Sequence, residues 1–150
     1  MIQTLTEREV KNLGFNEIQD VLADLTVTPM AREQALQLMP SADYDKVSRS
    51  LAETSEARLL VEKESFSPPA VEDVVPYLNR IQKGGLLNGI ELAKIAAFLQ
   101  GVHLWQHFFR NHSHQESYPR LASIAGRFDS CSILARRLEN SLDPEGQGLD

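Results

Sequence analysis

Apolar residues in this chain recur three and four positions apart in almost every segment, and the runs between them are cut by proline and glycine. That spacing lines one face of an α-helix, whereas a half-buried strand would alternate with a period of two. No segment shows a convincing strand alternation, and no unit repeats at a fixed period. The expected fold class is all-α: a multi-helix bundle of antiparallel helices with short connections.

The punctuation sets the expected boundaries. Thr6 to Glu9 form a capping-box pattern for a short helix that stops near Gly14. Asn16 caps the next, with Ile18, Val21, Leu22 and Leu25 at i, i+3, i+4 and i+7. Thr28 caps a third with Pro29 at its first position, and Pro40 ends it by restricting Met39. A long helix is expected from about Asp43 to Lys63, with Tyr44, Val47, Leu51, Thr54 and Val61 as a seam against a neighbour. "SFSPPA" breaks the pattern, and Pro76 kinks or restarts the helix that follows. After the Gly84–Gly85 corner, Asn88 caps a helix over about residues 89–110, striped by Leu92, Ile95, Ala96, Leu99 and Val102. Two further helices follow "ESYP", and Cys131, Leu134, Leu138 and Leu142 are expected to share a face of the last.

A length of 150 residues favours one domain with its own core. Burial of roughly 68–70% of the unfolded surface at this size makes a metal or disulfide staple unnecessary. Cys131 is the only cysteine, so it has no partner for an internal disulfide, consistent with a reducing cytoplasm. The start of the chain lacks the apolar run of a signal peptide, and no segment approaches the roughly 18 apolar residues of a membrane span. The expectation is a cytoplasmic protein without a membrane partner. A net charge of −6 argues against an autonomous grip on a phosphate backbone, because the fifteen basic residues are scattered. The densest pair, Arg136 with Arg137, reads as a solvated helix face.

All four histidines, His103, His107, His112 and His114, fall within fifteen residues. His103 and His107 are one helical turn apart, a spacing that metal ligands use. Neither is part of the His-Glu-x-x-His arrangement of zinc proteases, so packing at a helix boundary is preferred over a metal centre. Cys131 reads as a small hydrophobe. The Asp43/Asp45 and Glu72/Asp73 pairs fall at helix N-termini, where the helix dipole accounts for acidic residues. No nucleotide-binding motif is present: the Gly84–Gly85 pair has no following Lys-Ser/Thr and no preceding strand. No catalytic, cofactor-binding or metal-binding residue is therefore assigned. The aromatic cluster is different. Phe98, Leu104, Trp105, Phe108 and Phe109 make this helix end apolar nearly all round. Core packing is the first reading. An interface is the second, and Leu134, Leu138 and Leu142 join it as candidates.

Three ordered stretches carry a family resemblance. The first supplies Leu13, Phe15, Ile18 and Leu22, then Met39-Pro40, then Glu53 to Ala57 in "ETSEA". In the second, "VEDVVPYLNRIQKGGLLNGIELAKIAAFL", the residues are Glu72, Asp73, Pro76, Lys83, Gly84, Gly85, Leu87, Glu91, Leu92, Ile95 and Ala96. The third is "YPRLASIAGRF…LARRLENSLDPEGQGLD". Together they resemble the opening of the bacterial MutS-two family, the MutS paralogues that lack the mismatch-reading domain. The family is usually rich in Arg and Lys after the position of Leu99, where this chain has His103 and His107.

The resemblance implies the N-terminal helical core and lever region of a longer protein, a piece that transmits between ATPase and clamp without chemistry of its own. The parent would be an ATP- and Mg-dependent, branched-DNA-binding ATPase and endonuclease acting in DNA repair and suppression of recombination. An association with ribosomes is also implied. The partners expected for this chain are the remaining domains and a second copy in a homodimer. Two alternatives stand beside this: a stand-alone helical adaptor using the aromatic end, and, ranked last, a metalloenzyme built on the histidines.

Overall fold

The computed structural model describes Thr6 and residues 13–66, 69–143 and 145–148. The expected opening helix at Thr6–Glu9 lies outside the described residues apart from Thr6. Among the described residues there are eight α-helices and no strand, so the fold is all-α. Length favours one domain, yet the chain forms two compact units, Met1–Ser67 and Pro68–Asp150. They divide at the double proline, whose rings restrict the backbone of their own and the preceding residues.

The first unit holds α1 (Phe15–Asp24), α2 (Pro29–Leu36) and α3 (Tyr44–Glu64). Thr28 caps α2 as expected, its hydroxyl accepting the Ala31 N–H at 3.2 Å. Asp43 caps α3 by accepting the Lys46 N–H at 3.0 Å. Two boundaries differ from the sequence reading. α1 starts at Phe15 with Gly14, not Asn16, at its N-cap. α2 ends at Leu36, ahead of the Met39-Pro40 stop, because the Gln19 amide takes over its exit. Gln19 Nε2 donates to the carbonyls of Leu36 at 3.0 Å and Leu38 at 2.6 Å.

That amide also sets the rotation of α1. Gln19 and Ala23 are buried on α1, as is Ala35 on α2, and the small side chains allow close approach of the two helices. The expected stripe of Ile18, Val21, Leu22 and Leu25 is consequently exposed. A similar reversal holds for α3. Tyr44, Leu51, Thr54 and Val61 are exposed and Val47 half-buried, whereas Leu60 is buried and Ala52, Glu56 and Ala57 are half-buried. Small and mixed residues flank Leu60 in the sheltered row, whereas Tyr44, Leu51 and Val61 face outward.

The second unit holds α4 (Val75–Gln82), α5 (Gly89–Phe108), α6 (His112–Ser117), α7 (Pro119–Ala125) and α8 (Ser132–Glu139). Pro76 restarts the chain as a helix and does not kink one: α4 begins beside it, with the Asp73 carboxylate accepting the Val75 N–H at 2.9 Å. Asn88 and Glu91 form a complete capping box at the start of α5. The core gathers Val74, Ile95, Leu99 and Ala135, with Tyr77, Leu87, Phe98 and Leu138 packed against it. Gly101 is buried, and a Cβ there would lie 3.1 Å from both the Pro69 and Val71 side chains, so the position suits glycine.

Two expectations at the end of the chain are corrected. α6 was not anticipated: Asn111 caps it, accepting the Ser113 N–H at 3.0 Å, so His112 and His114 stand on a short helix of their own. Cys131 is not on an apolar face with Leu134, Leu138 and Leu142. It is the exposed N-cap of α8, in the left-handed region at φ 42°. α8 ends at Glu139, and Leu142 pairs instead with Gly148 in an isolated antiparallel bridge.

Candidate functional site

The four histidines are not gathered into one centre. His103 Nε2–H donates to the Ser130 carbonyl at 2.7 Å, and His114 Nδ1–H donates to the Phe108 carbonyl at 2.9 Å. His112 lies 3.4 Å from Glu116 one turn on, both strongly exposed, and His107 is exposed. Among the described residues no three His, Cys, Asp or Glu side chains are placed to hold one metal ion.

The arrangement instead fastens segments together. Gln106, three residues after His103 on α5, donates to the Phe128 carbonyl at 2.8 Å. His103 and Gln106 thus satisfy two carbonyls of the loop that leads into α8. On the other side, Gln115 donates to the Phe109 carbonyl at 2.7 Å, next to the His114–Phe108 bond. These side chains satisfy carbonyls at the C-terminal end of α5 that have no partner within the helix. The His114 ring also stacks on Phe108 with centroids 4.0 Å apart. Both glutamines were missed in the sequence because their acceptors are backbone carbonyls, which carry no residue-type signal.

The aromatic residues pack mainly with one another. Phe109 is 4% exposed, stacks with Trp105 at 5.8 Å and meets Phe108 edge-on at 5.0 Å. Phe98 packs against the core. Trp105, Phe108, Leu138 and Leu142 are half-buried, whereas Leu104 and Leu134 are exposed. Ala93, Ala96, Ala97, Leu138 and Leu142 line an open groove of about 430 Å³ along α5 and α8, bridged by a Gln100–Glu139 hydrogen bond of 3.2 Å.

Charge is organised around the start of α5. Arg80 pairs with Glu91, and the Lys94 ammonium lies 2.8 Å from the Glu72 carboxylate. The Arg80 hydrogen bond, with the Asn88 N–H, holds the Glu91 carboxyl below its ordinary range. Glu72 raises Lys94 above the usual lysine value. For Cys131, partial desolvation and the neighbouring Asp129 carboxylate raise the thiol, which disfavours the thiolate a nucleophile needs. No described helix is long and apolar enough to cross a membrane.

Fold and side-chain arrangement define an all-helical protein of two units, its histidine-rich end engaged in packing and in satisfying carbonyls. Comparison with known sequences then gives its relatives. Over 147 residues, 97% of the chain, it is 31% identical to the endonuclease MutS2 of Lacticaseibacillus casei (strain BL23). It is 28% identical to the endonuclease MutS2 of Enterococcus faecalis (strain ATCC 700802 / V583) over 148 residues, and 28% to that of Symbiobacterium thermophilum over 147, each match again covering 97% of the chain. The chain is thus similar to MutS2 proteins along nearly its whole length, in line with the resemblance carried by the residues from Leu13 to the "DPEGQGLD" exit. It spans about a fifth of the length of these relatives: 19%, 19% and 18%. No family model matches the chain, and no solved structure matches it.

Proposed function

We propose that this chain is the N-terminal helical region of a MutS-like, DNA-binding ATPase of the cytoplasm, and that its work is mechanical. In this reading it transmits between ATPase and clamp and leaves the chemistry to other domains. ATP and Mg are held there, and the whole protein cleaves or remodels branched DNA in repair and in suppression of recombination. The carrying observation is the match along 97% of the chain to proteins called endonuclease MutS2, of which it spans only 19%. A site that engages ribosomes also belongs to the whole protein in this reading. Leu104 and Leu134 are exposed members of the proposed interface set, available to the remaining domains or to a second copy.

The test uses the purified chain. No ATP hydrolysis above blank is expected, and binding to branched DNA is expected to be weak and salt-labile, because the net charge is −6. Sub-micromolar binding that survives physiological salt overturns the assignment of DNA contact to other domains. Reading the gene onward from codon 150 is a second check, with an in-frame G-x-x-x-x-G-K-[ST] motif as the expected result. The alternative is a stand-alone helical adaptor that uses the Phe98–Phe109 aromatic end, where Leu104 is exposed. An open reading frame without that motif would favour it.

A further inference from the structure

Two helices present exposed apolar faces with opposite charge. On α1, Ile18, Val21 and Leu25 are 59%, 63% and 75% exposed, and Leu13 beside them is 72% exposed. Leu13, Gly14, Glu17, Ile18 and Val21 line one shallow groove. The flank of this face is acidic: Glu17 and Asp20 are exposed and make no ion pair among the described residues, and Asp24 holds Arg32 at 2.9 Å. On α8, Ile133 is 79% exposed and Leu134 is exposed beside it. Arg136 and Arg137 stand three and four residues after Ile133, on the same face of the helix. Both are exposed, and neither makes an ion pair among the described residues.

We propose that the α1 face of one copy of this chain docks on the α8 face of a second copy. Apolar contact between Ile18, Val21, Leu25 and Ile133, Leu134 supplies the attraction, and Glu17 and Asp20 against Arg136 and Arg137 set the register. The pairing joins unlike faces, because an α1–α1 pairing would oppose carboxylates and an α8–α8 pairing would oppose guanidiniums. The α1 face offers apolar area on the order of 500 Å², comparable with the largest patch on an ordinary monomer. That is below the roughly 800 Å² per partner of a standard stable interface, so the association is weak and reversible.

Sedimentation velocity and equilibrium on the full 150-residue chain test this at low and high salt. The wild type is expected to gain mass with concentration, and to lose part of that gain when salt screens the rim charges. Glu17→Lys with Asp20→Lys, or Arg136→Glu with Arg137→Glu, should each weaken self-association about tenfold while helicity is unchanged. Mixing the two variants should restore it, because every α1–α8 contact between unlike copies again pairs opposite charges. A wild type that stays monomeric at high concentration overturns the proposal. So do charge-reversed variants that associate as the wild type does, or a mixture that recovers nothing.

Discussion

Gly89 and Gly146 meet backbone to backbone: a Cβ added to either would overlap main-chain atoms of the other's segment. Gly89 is the first residue of α5, and Gly146 lies in the polar turn near the end of the chain, at φ 79°. The turn is closed by Asp143, whose N–H donates to the Gln147 carbonyl at 2.9 Å and whose carboxylate accepts the Gln147 N–H at 2.7 Å. The polar turn near the end of the chain is thus held against the start of a core helix.

Gly89→Ala is therefore expected to displace the 143–148 turn and destabilise the chain by about 1–3 kcal/mol, as overpacking does. Gly146→Ala adds the left-handed backbone penalty of about 1–2 kcal/mol. Chemical denaturation gives the magnitude, and amide exchange at Gln147 locates the change. Unaltered protection at Gln147 in both variants would mean that the contact does not form in solution.

Gln19 carries a comparable burden in the first unit. It is buried, and its one amide serves two carbonyls at the end of α2. Gln19→Leu keeps similar volume but leaves both carbonyls without that donor, a loss of about 1–3 kcal/mol. Gln19→Ala should be at least as severe, since it also leaves a void. Equilibrium unfolding in urea distinguishes these from an exposed control such as Asn16→Ala.

The contrast between caps and faces explains what the sequence could and could not disclose. Thr28 and Asn88 were legible as caps because a cap joins a side chain to a backbone group three residues away. The orientation of α1 was not. Periodicity identifies Ile18, Val21 and Leu25 as a stripe but cannot tell that Gln19 and Ala23 pack more closely against α2. Tertiary contact, not local preference, chose the buried side. In the histidine stretch His103 and His114 hold carbonyls while His107 and His112 are exposed, and the fastening by His103 and Gln106 was hidden because Ser130 and Phe128 lie more than twenty residues away.

His103→Ala should release the Ser130 carbonyl and loosen the loop before α8, lowering stability by about 0.5–1.5 kcal/mol. Gln106→Ala should act on the same loop, so the double variant should lose less than the sum of the two. Elemental analysis of chain dialysed without chelator is expected to find well under one zinc or nickel per molecule. Stoichiometric metal that vanishes in the His103→Ala/His107→Ala variant would restore the metal-centre reading.

Glu91 gives the chain a defined response to acid. Its side chain accepts from the Asn88 N–H at 3.0 Å and pairs with Arg80, and both interactions favour the carboxylate. The folded-state pKa is therefore below that of the unfolded chain, where glutamate titrates near 4.3. A depressed carboxylate contributes stability that is present above the unfolded value and is lost as pH falls through the folded value. Glu91→Gln retains an amide oxygen able to serve the capping box but removes the ion pair with Arg80. The variant should melt at a lower temperature than the wild type at pH 7, and the gap should close progressively below about pH 4.3 as the wild-type carboxylate is protonated. Arg80→Ala should show the same pH dependence, because it removes the other half of the pair. Thermal melts across this range measure both, and a gap that stays constant down to pH 2 would show that Glu91 contributes through packing and not through its charge.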